Sequence, residues 1–104
     1  MHGRIARYRI SGDPHALARK AEEGMLPIFK AQPGFRGYLL AVSGDVLTSL
    51  STWDTIEQAE AASPAAATWI AENIDEDVEL VDVSTGEILL ATALGVMPSA
   101  AARA

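Results

Sequence analysis

Residues 35–53 constrain this chain most. Phe35-Arg36-Gly37-Tyr38-Leu39-Leu40-Ala41-Val42 and Val46-Leu47-Thr48-Ser49-Leu50-Ser51-Thr52-Trp53 are two apolar runs around Ser43-Gly44-Asp45. Gly44 can take a positive φ and Asp45 can bond the local backbone, so the pattern predicts a hairpin with a three-residue turn. Strict alternation sets Phe35, Gly37, Leu39 and Ala41 against Arg36, Tyr38, Leu40 and Val42. On the second strand it sets Val46, Thr48, Leu50 and Thr52 against Leu47, Ser49, Ser51 and Trp53. Neither strand has a clearly wet face. Such a hairpin needs helices on one side and a second cover on the other.

The flanking sequence supplies the helices. Ile5–Ile10 reads as a strand with Ala6, Tyr8 and Ile10 on one face. Asp13 then caps a helix over about His15–Ala31, with Pro14 in its first turn. Leu17, Ala21, Met25, Ile28 and Phe29 form its apolar stripe, and Pro27 predicts a kink or break near Glu23. After the hairpin, Asp54 and Glu57 form a capping box for a helix through about Ala62. Ser63-Pro64 reads as a fresh start, with Trp69, Ile70 and Ile74 buried. Val78–Val83 is a strand, Ser84-Thr85-Gly86 a turn, and Glu87–Thr92 an extra terminal strand, apolar on both faces. The order is that of an α+β, ferredoxin-like βαββαβ fold with an antiparallel sheet. Residues 1–94 form one domain, and 95–104, rich in alanine, read as a frayed tail. The second sheet face carries Leu40, Val42, Leu47, Trp53 and Val81, or their alternates. We expect it to be covered by a second copy, as a homodimer.

Bulk properties narrow the function classes. With 104 residues, 49% of them hydrophobic, the chain can build one real core. No apolar run reaches the roughly 20 residues of a membrane helix. Met1-His2-Gly3-Arg4 runs straight into a strand pattern, so a cytoplasmic location is expected and a membrane partner is not. The chain has no cysteine, which excludes disulfides, thiolate metal sites and cysteine nucleophiles. Eight basic against 14 acidic residues leave a net charge of −6, which disfavours nucleic acid. His2 and His15 have no sequence neighbours that make a metal site or triad. Asp75-Glu76-Asp77 lacks the spaced ligands of a calcium loop, and the glycines form no phosphate loop. No metal or cofactor is expected.

The order of elements, Pro33-Gly34-Phe35-x-Gly37-Tyr38 entering the second strand, and Ser51-Thr52-Trp53-Asp54 leaving the third resemble the antibiotic biosynthesis monooxygenase family. The resemblance spans about residues 4–93. It implies a dimeric α/β barrel and one of two functions. One is a cofactor-independent monooxygenase acting on a small aromatic, polyketide- or quinol-like substrate. The other is a non-catalytic small-molecule-binding or structural dimer. The haem-degrading branch of that superfamily pairs a strand Asn with a helix Trp and a helix His. Counted from Trp53, the two helix positions fall on Ala61 and Ala71, and the first strand offers no Asn, so haem degradation is not expected. The polyketide branch uses Asn, Trp, Tyr and Arg side chains. Trp53 matches its Trp, but Val78–Val83 carries no Arg.

Candidate ligand-binding residues are therefore Tyr8, Arg36, Tyr38, Trp53, Trp69 and Asn73. Each has a structural alternative. Aromatics bury large areas and fill cores, which suits Trp69 on an apolar helix stripe. Trp53, at a strand end, needs a partner for its indole N–H, either a ligand or a protein acceptor. Arg7, Arg9 and Arg36 could hold an enolate or phenolate oxygen, or pair with Glu79, Asp82 or Glu87 across the sheet. Asn73 could bond a substrate carbonyl or close a helix end. A buried Arg or Asn beside Trp53 would favour the enzyme. A cleft filled by Met25, Phe29 and Trp69 would favour the non-catalytic protein.

Overall fold

A computed structural model describes residues 1–74 and 78–96. The acidic run at 75–77 and the tail from 97 onward lie outside the described residues. The strands are β1 (His2–Ile10), β2 (Phe35–Ser43), β3 (Val46–Trp53) and β4 (Val78–Glu87). They form one antiparallel sheet in the order β2-β3-β1-β4. The helices are α1 (Pro14–Lys20), α2 (Leu26–Lys30) and α3 (Ile56–Asn73). A π-helical segment, Ala21–Met25, joins α1 to α2. No helix among the described residues is long and apolar enough to cross a membrane.

Local chemistry explains most boundaries. The Asp13 side chain accepts from the His15 N–H and Pro14 opens α1, as its missing N–H allows. The disturbance expected around Pro27 takes the form of the π segment just before it. A proline ring cannot follow a regular turn without clashing, and one extra residue per turn relieves the clash. Ser43 pairs with Val46, so the hairpin turn is the two residues Gly44 and Asp45, with Gly44 at φ 60°.

Three expectations about the second half are corrected. Thr55, not Asp54, caps α3: its hydroxyl accepts from the Gln58 N–H, and the Gln58 side chain accepts from the Thr55 N–H. Asp54 is instead bound to Arg36. The helix does not restart at Ser63 but runs on through Pro64. The helix bond lost at Pro64 would have used the carbonyl of exposed Glu60, where water can replace it. Lastly, Ser84-Thr85-Gly86 is not a turn. All three residues lie in β4, paired with Ile5, Arg4 and Gly3. Residues 88–90 form no separate strand, although Ile88 still donates its N–H to the Met1 carbonyl. A short 3-10 turn, Thr92–Leu94, and a bridge between Ala91 and Val96 follow.

Two bulges decide what faces the helices. Phe35 pairs with Trp53 and Gly37 with Thr52, so Arg36 is the extra residue. The slip puts Phe35 on the same face as Tyr38 and Leu40, against simple alternation. In β4, Arg7 pairs with Asp82 and Tyr8 with Leu80, which leaves Val81 extra. Val78, Leu80 and Val83 thereby share the helix side. Trp53, Phe29 and Met25 form one core cluster, and Ala6, Tyr8, Ile10 and Leu17 the other. Ile70 packs against both. Leu40, Leu47 and Trp53 thus belong to the helix face. The open face carries their alternates, including Ile5 and Leu39, which are 43% and 53% exposed.

Candidate functional site

The site lies between helices and sheet, and it begins with Arg4. The period-two pattern Arg4, Ala6, Tyr8, Ile10 places Arg4 on the helix face of β1. Its neighbours there are Ser51 on β3 and Thr85 on β4. Arg4 is only 3% exposed. Its Nε–H donates to Ser63 Oγ at 2.8 Å, which draws α3 onto the strand. No carboxylate pairs with it among the described residues. A buried guanidinium with one hydroxyl partner has lost most of its hydration without gaining a counter-charge.

Two spaces meet at Arg4. The inner one is a cavity of about 50 Å³, walled by Arg4, Tyr8, Tyr38, Ser49, Phe29 and Trp69 among others. The outer one is a groove of about 490 Å³ between α3 and β4, lined by Ser63, Pro64, Ala67, Leu80 and Val83. Arg4, Tyr8, Ile70 and Val78 border both. The inner cavity is too small for an aromatic ring, since about 150 Å³ is needed to hold benzene. The groove falls within the roughly 300–1,000 Å³ of small-molecule sites. Leu80 and Val83, 52% and 42% exposed, make its β4 wall apolar.

Tyr38 is the titratable group that the cavity perturbs. Burial pushes its hydroxyl pKa up from the ordinary 10.0, opposed by a hydrogen bond with Ser49 and more weakly by the charge of Arg4. At neutral pH Tyr38 is therefore a hydroxyl that can donate, not a base. Its ring meets Phe29 edge-on, with centroids 5.4 Å apart.

The candidate residues separate into two groups. Tyr8, Tyr38 and Trp69 line the inner cavity. Trp53, Arg36 and Asn73 border neither space. Trp53 is fully buried and donates its indole N–H to Ser51 Oγ at 2.9 Å. Phe29 and Phe35 pack edge-on against it, at 5.5 and 5.3 Å. Arg36 is held at the surface by Asp54, Nε to Oδ1 at 2.6 Å. Asn73 donates to the Trp69 carbonyl at 3.0 Å, one turn back in α3. Arg7 pairs with Asp82 across the sheet, and Arg9 sits 3.7 Å from Asp45. Arg7 and Arg36 hold the Asp82 and Asp54 carboxyls, respectively, below their usual range, chiefly through the arginine hydrogen bonds.

The strand begins at His2, so Arg4 lies inside it and not before an Ile5 start. Extending the alternation two residues back would have placed Arg4 in line with Ala6 and Tyr8. Ser63 was hidden by its fitness as a cap. No group of three or more His, Asp or Glu residues among the described residues could hold a metal.

No family model matches the sequence, and no curated protein matches it closely enough to count. Solved structures do match in fold. A Chloroflexus aurantiacus protein provisionally assigned as an antibiotic biosynthesis monooxygenase superposes with TM-score 0.64 at 22% identity, covering 90% of this chain and 98% of that one. SnoaB from Streptomyces nogalater, a cofactor-independent oxygenase, gives 0.61 at 14% identity, covering 86% and 94%. The ActVA-Orf6 monooxygenase of Streptomyces coelicolor, in complex with nanaomycin D, gives 0.60 at 17% identity, covering 86% and 92%. The resemblance seen in Pro33–Tyr38 and Ser51–Asp54 therefore holds at the level of architecture: this chain has the ferredoxin-like α+β fold of the antibiotic biosynthesis monooxygenase structures.

Proposed function

We propose that this protein is a cofactor-independent monooxygenase for a small, electron-rich aromatic, and that Arg4 holds the substrate's anionic oxygen. The observation that carries the reading is a buried guanidinium with no carboxylate partner among the described residues, at the foot of an apolar groove. An internal cation with no counter-ion among the described residues is a seat for an anion. The similar structures include a cofactor-independent oxygenase and a monooxygenase with a bound ligand, which fits this reading.

The chemistry needs little from the protein. An anthrone that loses a proton from its ring CH₂ to water becomes an electron-rich anion, stabilised by Arg4. That anion passes one electron to O₂, and the resulting carbon radical and superoxide combine to a peroxide. The peroxide takes its proton from water in the groove, or from Tyr38, kept protonated by burial, when a ring enters the inner cavity that Tyr38 lines. Loss of water then turns the ring CH₂ into a carbonyl. One oxygen atom stays in the product and the other leaves as water.

The second reading, a non-catalytic binding protein, draws on the inner cavity, which Met25, Phe29 and Trp69 reduce to about 50 Å³. Oxygen uptake with 1,8-dihydroxyanthrone separates the two. The enzyme consumes one O₂ per anthraquinone formed and places one ¹⁸O atom from labelled O₂ in the product. Binding without uptake above the buffer rate supports the second reading instead.

A further inference from the structure

We infer that Trp69, seated on Gly24, is the residue that sets how large a ring system the site admits. This deepens the reading above and rests on it. Trp69 is half-buried and borders both the inner cavity and a second groove on the outside, while Tyr38 and Leu40 border another. That second groove, about 380 Å³, runs along the seam between α2 and α3 and is lined by Ile28, Pro64, Ala65, Thr68 and Glu72. The indole thus stands between the inner cavity and the seam groove.

The indole stands there because residue 24 has no side chain. A Cβ on Gly24 would lie 2.4 Å from Trp69 Nε1 and 2.6 Å from Cζ2. No real Cβ tolerates such contacts, so a side chain at 24 and the present indole position exclude one another. Gly24 also lies within the π-helical segment, whose widened turn interrupts the regular hydrogen-bond ladder. Two large inner walls are tightly held. Phe29 and Met25 are 1% and 4% exposed and packed in the core. The cavity cannot accept a ring as it stands, so any ring that reaches Tyr38 must displace a wall. Trp69 has space behind it, as Tyr38 and Leu40 do, and its seat in addition depends on the missing side chain at Gly24. With the indole in place, small rings are held in the outer groove at Arg4. With it displaced, the cavity and seam groove merge, and larger fused systems gain depth.

The test is a ladder of coloured phenolic ligands: 4-nitrophenol, 4-nitro-1-naphthol and 1,8-dihydroxyanthraquinone. Their dissociation constants are measured by absorbance titration for the intact protein and for Trp69→Phe, Trp69→Ala and Gly24→Ala. The expected result is a tenfold or greater gain in the three-ring to one-ring affinity ratio for Trp69→Ala. Gly24→Ala, which leaves the indole but displaces it, shifts the ratio in the same direction, and Trp69→Phe shifts it less. Trp53, the other tryptophan, reports folding of the Trp69 variants by its fluorescence. Selectivity unchanged within twofold in Trp69→Phe and Gly24→Ala, with the intact protein binding all three ligands, overturns the gate alone. Failure of the intact protein and every variant to bind any ligand overturns the functional reading together with the gate.

Discussion

Replacing Arg4 by Met separates structure from function at the centre of this site. The substitution removes one charge-assisted hydrogen bond, Nε to Ser63 Oγ at 2.8 Å. Such bonds contribute about 1.5–3 kcal/mol. It also removes a cation that is 3% exposed and has no carboxylate partner among the described residues, and burying one costs several kcal/mol. Methionine is unbranched and fills a similar channel. The two effects oppose each other, so stability should change by no more than about 1 kcal/mol. In a domain of this size that is a melting shift of roughly 4–8 °C at most. Ligand binding should respond quite differently. An anionic oxygen on the guanidinium forms a contact of about 1.5–3 kcal/mol, which is roughly 10- to 150-fold in affinity. The assay is absorbance titration with 4-nitro-1-naphthol, whose anion is coloured. The intact protein should bind the anion and lower the bound naphthol's pKa by about 1–3 units, as an adjacent opposite charge does. The Met variant should lose both effects, and Arg4→Lys should keep part of them. If the Met variant is well folded and binds the anion as tightly as the intact protein, Arg4 is a structural residue and the site is misassigned.

The open sheet face predicts association: Ile5 and Leu39 are about half exposed there, so the chain should sediment as a dimer burying at least about 1,600 Å². Leu39→Asp should give a monomer, and a stable monomer of the intact chain at micromolar concentration would end the idea. Exposed Leu89 and Leu90 are expected to join that interface at roughly 1.5–3 kcal/mol each, so ending the chain after Glu87 should weaken the dimer, whereas removing 98–104 should not. The pH response follows from two shifts of opposite sign. Asp54 and Asp82, with folded pKa values below the ordinary 3.8, contribute stability above that value and lose it as pH falls through their lowered ones. Tyr38, raised above 10.0, contributes stability below pH 10 that is lost as pH rises through its folded pKa. A tyrosinate absorbance titration in which Tyr38→Phe removes an ordinary transition near pH 10 would refute the second.

Where this chain's chemistry is local, its sequence alone sufficed. Asp13-Pro14 starts α1 because a carboxylate and a missing N–H both suit a helix N-terminus. The apolar runs at 35–42 and 46–53 became a hairpin because no other fold buries both, and the element order then left only the ferredoxin-like arrangement. The cap of α3 slipped by one residue, from Asp54 to Thr55, because both are good caps and only tertiary contact assigns Asp54 to Arg36. The bulges at Arg36 and Val81 were invisible for a similar reason. A bulge is a property of two paired strands, and one strand's alternation carries no record of the slip. The site depended on that slip. It brings Phe35 to Trp53, leaving Trp53 sealed in the core, and it brings Val83 into line with Leu80 beside the groove. Arg4 could be read as a surface residue until α3 crossed over it, and Ser63 as a cap until Arg4 reached it. Burial of a charge 59 positions from its partner is decided only when the whole sheet and helix layer have closed.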